Sequence, residues 1–282
     1  MALSSDQLEA FLSVAQTLSF TKAAESLHIT QSALSQRIMK LESELETSLF
    51  IRDRAGLRLT ETAESLVRYC LCKNSLEEEF LGVLKGHETA GVVRIGGFSS
   101  VMQSVILPSL KDLLADNEKL KLQMVVDEMS ILPARLRRGE LDYMILDRRE
   151  EREEFERILI GHERNVLVQK RKYKGPEIYL DHDENDPTTL NYLRLAGRKT
   201  KTIERRYLDN IYGLMEGVRL GIGRAVMPLH LIEGESDFEI LHPQSVLEIP
   251  VYLYFYSQPY YSKLHSQIVE AIQAGGKAKL AK

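Results

Sequence analysis

Residues 19–63 read SFTKAAESLHITQSALSQRIMKLESELETSLFIRDRAGLRLTETA, and the spacing inside this stretch decides how the fold begins. Ala23, Ala24 and Leu27 repeat at helical spacing after Ser19-Phe20-Thr21, with Thr21 placed to cap the helix. His28-Ile29-Thr30 turns the chain, and Leu34, Ile38, Leu41 and Leu45 then lay one apolar stripe along a further helix. Small alanines let the two helices cross closely, the arrangement of a helix-turn-helix. Upstream, Ser4 with Gln7 three places on forms a capping signal, and Leu8, Phe11, Leu12 and Ala15 carry a first helix to about Leu18. Downstream, Leu49-Phe50-Ile51-Arg52 and Leu57-Arg58-Leu59-Thr60 flank Gly56 as strand, turn and strand, the pattern of a wing.

The polar face of the third helix opens with Gln31, Ser32, Ser35, Gln36 and Arg37. In a helix-turn-helix those first two turns enter the major groove. Glutamine can bond two groups on adenine, serine can donate or accept, and arginine grips guanine or phosphate. A solvated helical face would carry the same residue types, because helix-turn-helix patterns are loose. The wing tips the balance toward DNA, since Arg52, Arg54 and Arg58 stand where a phosphate backbone would run.

The quoted stretch is similar, nearly from end to end, to the N-terminal pattern of the LysR-type transcriptional regulators. That resemblance implies DNA contacts at Gln31, Ser32, Ser35, Gln36 and Arg37, with Arg52, Arg54 and Arg58 on or beside the wing. Two positions depart from the family: Ser32 stands where proline is common, and Ala63 where glycine is common after the wing. Ser32 bears on site preference, and Ala63 stiffens the start of the next helix.

From Glu61 to about His87 no proline occurs and no glycine before Gly82, while Leu66, Cys70, Leu76, Phe80 and Val83 recur near helical spacing. One helix of about 25 residues would span about 37 Å at 1.5 Å per residue, with no evident partner for its stripe in the first domain. Pairing with a second copy would bury it, and packing on the C-terminal domain is the alternative. In the resembled family this helix dimerises, which implies a two-fold pair of readers on an interrupted inverted repeat.

After the hinge His87-Glu88-Thr89-Ala90-Gly91, strand and helix alternate. Val92–Gly96, Leu120–Val126 and Tyr143–Leu146 read as strands, with helices over Val101–Leu114 and Ile131–Arg138 between them, the βαβαβ order of a parallel sheet. Val166–Gln169, Ile178–Leu180, Ala225–Pro228 and Val251–Tyr256 are further strands, and helices are expected over Leu208–Leu220 and near Ser262–Ala274. VRIGG…ILPSL, RLRRGELDYMILD and EGVRLGIGRAVMPLHLI fall in the order of the same family's effector domain, which is built like a periplasmic binding protein with ligand between two lobes. The expected fold is therefore α/β with an N-terminal all-α winged helix-turn-helix over 1–60, a linker helix over 61–88 and a two-lobed effector domain over 89–282. Lobe I is placed at about 92–163 and 258–282, and lobe II at about 164–257.

A cleft at the carboxyl ends of the parallel strands would gather Ser99 and Ser100 after the first strand, Met129 and Ser130 after the second, and Asp147 after the third. Arg198 and Thr200, in a polar loop, are the candidates from the other lobe. Ser99-Ser100 opens a helix and so suits an anion, although ordinary capping explains each serine singly. The stretches TQSALSQRIMKLE and RLRRGE resemble regulators of basic amino acid export, and Asp127 with Glu128 suits a cation. The effector, an organic anion or an amino acid, stays open.

Other chemistry finds no residues. The seven histidines lack HExxH spacing, and Asp181-His182-Asp183 reads as a solvated acidic loop, so no metal is implied. Gly221-Ile222-Gly223 precedes a strand and lacks a third glycine, which makes it a tight turn and not a nucleotide fingerprint. No nucleophile elbow or Walker loop occurs, so neither an enzyme nor a cofactor is expected. Cys70 and Cys72, two apart on a helix, point to different faces and form no disulfide. The net charge of −4 argues against a protein that coats nucleic acid by bulk charge, while leaving room for a local basic surface. MALSSDQLEA has acidic residues where a signal peptide needs a basic patch and an apolar run, and no later run is long enough to span a bilayer, so a cytoplasmic protein is expected. The expected partners are duplex DNA, a small effector, a second or fourth copy of the chain, and RNA polymerase. The rival readings are a ligand-binding or catalytic α/β domain with an N-terminal dimerisation module, and an architectural DNA protein indifferent to ligands.

Overall fold

The computed structural model describes residues 3–54, 56–84, 91–198, 200 and 203–280, without the side chains of residues 78, 79 and 83. The hinge residues His87 to Ala90, and the ends of the chain beyond 3 and 280, lie outside the described residues. The N-terminal part is built from helices α1 (Ser5–Thr17), α2 (Phe20–Ser26) and α3 (Gln31–Leu45), the hairpin β1 (Phe50–Asp53) and β2 (Gly56–Leu59), and the long helix α4 (Glu61–Leu84). Gln7 accepts from the Ser4 backbone N–H at 3.1 Å, as the capping signal predicts. The cap of α2 is Ser19 and not Thr21: Ser19 Oγ accepts from Lys22 N–H at 3.3 Å, while the Thr21 hydroxyl reaches Gln31 at 3.3 Å. The helix begins two residues earlier than the sequence suggests, so the serine is the residue left in the extended conformation a cap requires.

Phe11, Val14, Ala23, Leu34, Ile38, Leu41 and Leu49 close a core between these helices and the hairpin, and Ala63, Leu66, Val67 and Cys70 of α4 enter the same core. This corrects the assignment of Leu66 and Cys70 to a dimer stripe. They are 8% and 2% exposed because the first turns of α4 complete the winged domain's own interior. Burial also pushes the Cys70 thiol up to about 12, as expected of an inert buried thiol. The middle of α4 takes the alternative partner: Leu71 packs beside Leu132 and Leu136, and Glu64 pairs with Arg137 at 3.0 Å. Gln16 of α1 adds a hydrogen bond of 2.9 Å to the Gly139 carbonyl. Beyond, Leu76, Phe80, Leu81 and Leu84 are 44%, 64%, 48% and 66% exposed. Val83 lies in this stretch, with its side chain outside the described residues.

Among the described residues of the C-terminal part, nine strands form one curled mixed sheet. They are β3 (Gly91–Gly97), β4 (Leu120–Val126), β5 (Tyr143–Leu146), β6 (Phe155–Lys170), β7 (Ile178–Asp181), β8 (Glu204–Tyr207), β9 (Arg224–Pro228), β10 (Phe238–Leu241) and β11 (Leu247–Tyr256). The order is β4-β3-β5-β11-β6-β9-β7-β8, with β10 beside β6. β3 runs parallel to β4 and to β5, as the βαβαβ pattern requires, and β7 runs parallel to β8 and β9. The long antiparallel pair β6 and β11 passes through both halves. Its ends belong to different cores: Ile160, Val251, Leu253 and Phe255 pack with Val101, Ile106 and Ile145, whereas Val166 and Val168 pack with Leu180, Leu214 and Met227.

This arrangement moves the expected lobe division, because Tyr252–Tyr254 of β11 pair with β5, and Val251, Leu253 and Phe255 pack in the first-half core. It also adds elements that the sequence reading passed over: the first half of β6, the helix Thr188–Leu195, β8 and β10. The residues of the three strands are charged or short-patterned, and only long-range pairing makes strands of them. The final helix runs to Leu280, past the expected stop near Ala274, because Gly275 and Gly276 are where it crosses the first half. A Cβ on Gly276 would run into the Ile160 carbonyl, so the glycine permits the approach. No helix among the described residues is long and apolar enough to cross a membrane.

Candidate nucleic-acid interface and ligand cleft

On α3 the apolar stripe is fully inward, with Leu34 and Leu41 at 0% exposure, and this turns Gln31, Ser32 and Gln36 outward. Ser35 and Arg37 are half-buried. Thr30 caps the helix by accepting from Ala33 N–H at 3.2 Å, and its hydroxyl is 3.0 Å from that of Ser32. Arg37 is held by Asp6 at 3.4 Å, a contact a DNA phosphate or guanine would have to compete with. On the hairpin, Arg52, Arg54 and Arg58 are exposed, and Arg58 pairs with Asp53 across the turn. Thr60 N–H bonds to the Leu49 carbonyl at 3.0 Å and its hydroxyl caps α4 through Ala63 N–H at 3.2 Å, fixing the wing to the helix behind it. The face is thus a helix edge rich in hydrogen-bonding side chains beside an arginine-bearing hairpin, suited to base edges and phosphates respectively.

In the C-terminal part the carboxyl ends of β3, β4 and β5 lead to Ser99 and Ser100, to Met129 and Ser130, and to Asp147. Ser99 starts a helical run over 99–109 that opens to π geometry at Met102–Ile106, where Pro108 has no N–H to give the Ser104 carbonyl. Ser100 is buried and donates to Glu163 Oε1 at 2.7 Å. The same oxygen receives His230 Nε2 at 3.0 Å, and His230 Nδ1 lies 2.9 Å from Ser104 Oγ. Asn165 Nδ2 bonds the Glu163 carbonyl at 3.2 Å. Glu163, His230 and Ser104 were missed in the sequence: Glu163 lies in a strand recognisable only through its pairing, and His230 follows β9 with no motif around it. Asp147 Oδ1 is enclosed without a hydrogen-bond partner. Burial raises its pKa, with the Glu163 charge adding to it while Arg148 opposes.

The remaining candidates make other contacts. Met129 packs half-buried beside the Leu132 and Leu136 cluster, and Ser130 is exposed with its hydroxyl 3.3 Å from Glu128. Asp127 is taken by Arg135 at 2.8 Å, which removes it as a free seat for a cation. Arg198 is exposed and pairs with Glu177 at 3.3 Å, next to Arg224 at 3.1 Å from the same carboxylate. Glu177 precedes β7, so Arg198 is at that strand's amino end, opposite the edge that carries the cleft. The helix Thr188–Leu195 returns the chain to that end, which carries Arg198 away from the carboxyl edge of the strands. Thr200 stands between residues outside the described set, 199 and 201–202, and no contact ties it to the cleft.

Asp181-His182-Asp183 is likewise more than a solvated loop. Asp181 is 2% exposed, bonded by Thr189 and paired with Arg205, whose guanidinium also reaches the carbonyls of Asp183, Glu184 and Asp186. An arginine therefore fills the position a cation would take, and no metal-like group of three His, Cys, Asp or Glu residues occurs among the described residues.

Two families match the chain: the bacterial regulatory helix-turn-helix proteins of the lysR family over residues 5–64, and the LysR substrate binding domain over residues 86–277. The HTH-type transcriptional regulators HdfR of Yersinia pestis (strain Pestoides F) and Yersinia pseudotuberculosis serotype O:1b (strain IP 31758) are each 33% identical over 219 residues, covering 74% of this chain and 72% of theirs. The crystal structure of ArgP from Mycobacterium tuberculosis superposes with a TM-score of 0.79 at 22% identity, covering 99% of both chains. Full-length LysG from Corynebacterium glutamicum with bound effector Arg gives 0.74 at 20% identity, covering 98% of this chain and 99% of that one. With a reading head at one end and a two-lobed ligand domain at the other, the chain belongs to the LysR family of DNA-binding transcriptional regulators, whose activity is set by a small-molecule effector.

Proposed function

We propose that Gln31, Ser32, Ser35, Gln36 and Arg37 read base edges, that Arg52, Arg54 and Arg58 grip the flanking backbone, and that two copies joined through the exposed end of α4 read an interrupted inverted repeat. The observation that carries this reading is the division of α3, whose apolar residues are spent on the winged core while its glutamines and Ser32 face solvent. The working division of the chain is 1–60 for DNA, 61–88 for the linker and 89–282 for the effector domain, with 251–257 reassigned to lobe I. Ser99, Ser100 and Asp147 border the effector cleft, joined by Glu163 and His230. The effector is a small nitrogenous metabolite, a class that includes the arginine bound by the LysG neighbour. Its binding changes how the halves sit on the shared strands β6 and β11 and so the spacing of the paired reading heads. RNA polymerase is the further partner of a regulator so placed.

The test is selection of bound duplexes from a random pool at near-physiological salt, with Gln36→Ala and Arg37→Ala alongside. Enrichment of an inverted repeat that both variants weaken is expected. Folded protein that enriches no sequence would remove this reading.

A further inference from the structure

Glu163 sits on β6, the strand both halves share, and is 6% exposed. One of its oxygens is tied to each half. Ser100 is in the run whose Val101, Met102, Val105 and Ile106 lie in the first-half core, and His230 sits on the turn Leu229–Ile232, whose Ile232 lies in the second-half core. The proton inventory defines the link. Ser104 Oγ is 2.6 Å from the Ser100 carbonyl and 2.9 Å from His230 Nδ1, and a serine has a single proton to give. With that proton on the carbonyl, Nδ1 is the donor to Ser104, and Nε2 and Glu163 Oε1 share one further proton across 3.0 Å.

A hydroxyl from one half and an imidazole nitrogen from the other are the groups an acidic ligand would use to bridge the cleft. We propose that the Glu163 carboxylate is a resident occupant of that seat and determines the effector class: ligands presenting a carboxylate to Ser100 and His230 are excluded, and the cleft takes a cationic or neutral donor-bearing ligand. The inference rests on the reading of this cleft as the effector site and deepens it. Asp147 supports it independently. Its enclosed oxygen has no hydrogen-bond partner, so a ligand that brings a donor is favoured over a second anion.

The test removes the resident carboxylate from the full-length protein and asks whether the seat then takes one from solution. Thermal midpoints of wild type, Glu163→Ala and Glu163→Gln are titrated with sodium acetate and, at matched ionic strength, sodium chloride. Wild type is expected to respond alike to both salts. Glu163→Ala is expected to melt lower and to recover at least about half of the loss, saturably, with acetate alone. Glu163→Gln fills the space without charge and shows no acetate-specific recovery. In hydrogen exchange, Glu163→Gln is expected to release 99–104 and 229–232 together, each by about threefold or more, with α1 to α3 unchanged. That second measurement stands even if the alanine variant does not fold. Saturable acetate-specific stabilisation of wild type, identical salt responses in Glu163→Ala, or unchanged exchange in Glu163→Gln each overturns the proposal. Fluorescence anisotropy on the selected duplex separates the two readings: wild type that binds it while the acetate arms go the wrong way loses only the Glu163 assignment.

Discussion

Phe80→Ala tests the division of labour along α4. The Phe80 side chain is 64% exposed, while Leu66, four turns earlier, is 8% exposed in the winged core. Burying a whole phenylalanine is worth about 1.5–3 kcal/mol, so the surface still open on Phe80 is worth about 1–2 kcal/mol to a partner. A two-fold dimer loses it twice. A combined loss of about 3 kcal/mol weakens the dimer about 150-fold. Sedimentation equilibrium over a dilution series measures the change, and the isolated fold should move by less than about 0.5 kcal/mol because the ring packs on little within its own chain. Leu66→Ala is the counterpart, expected to destabilise the winged domain by about 2–5 kcal/mol through a core cavity while leaving the dissociation constant of folded protein unchanged. A Phe80→Ala dimer that dissociates within about threefold of wild type, or a Leu66→Ala protein that keeps its stability and loses its dimer, refutes the division.

Gln36→Ala is expected to cost about 1–3 kcal/mol on the selected duplex and to relax its preference at one base position, whereas Arg52→Ala weakens all duplexes alike and lowers the salt slope by about one. Anisotropy on selected and unrelated duplexes distinguishes them, and an equal loss on both from Gln36→Ala would move that residue to the backbone-contacting set. In the loop after β7, burial disfavours charged His182, but its 2.9 Å bond to Asp186 outweighs this and raises its pKa. The His182 contribution is therefore complete below the ring's ordinary value of 6.5 and fades as pH rises through the raised folded value. Asp186 is also buried, yet its bonds to His182 and Thr188 hold its pKa well below 3.8, so its contribution is present above that value and fades as pH falls through the lowered one. Hydrogen exchange in 182–188, corrected for intrinsic rates, should be slowest between about pH 4.5 and 6; a protection that is flat from pH 5 to 8 would contradict the pairing. Gly276→Ala should cost about 1–3 kcal/mol by overpacking against Ile160, and a thermal midpoint equal to wild type would show that the final helix shifts freely.

The winged domain was legible because its information is local. Leu34, Ile38 and Leu41 repeat at a helical period, Ser4 and Gln7 cap within one turn, and Gly56 turns a hairpin whose strands are neighbours in the chain. The parallel unit β3-β4-β5 was legible for a related reason: an apolar strand, a helix closed by glycine and another apolar strand leave few ways to connect. The first half of β6 was not. It reads FERILIGHERN, charged at many positions, and becomes a strand only because β11, about ninety residues away, pairs with it from Tyr256↔Phe155 to Leu247↔Asn165.

What the sequence determined by itself was the class of each local element and the surface it offers: a polar reading face on α3, arginines on the hairpin, serines where a strand meets a helix. Tertiary structure alone decided which of those surfaces remain available. Leu66 and Cys70 match the helical period as well as Phe80 does, yet the winged core closes over them and leaves Phe80 outside. Arg198 has the chemistry of a ligand contact, but the preceding helix returns it to the amino end of β7. Glu163 and His230, 67 residues apart, meet at Ser100 because the two halves share one long strand. Periodicity records which face of an element is apolar; what covers that face depends on contacts between residues distant in the chain, and no local pattern contains them.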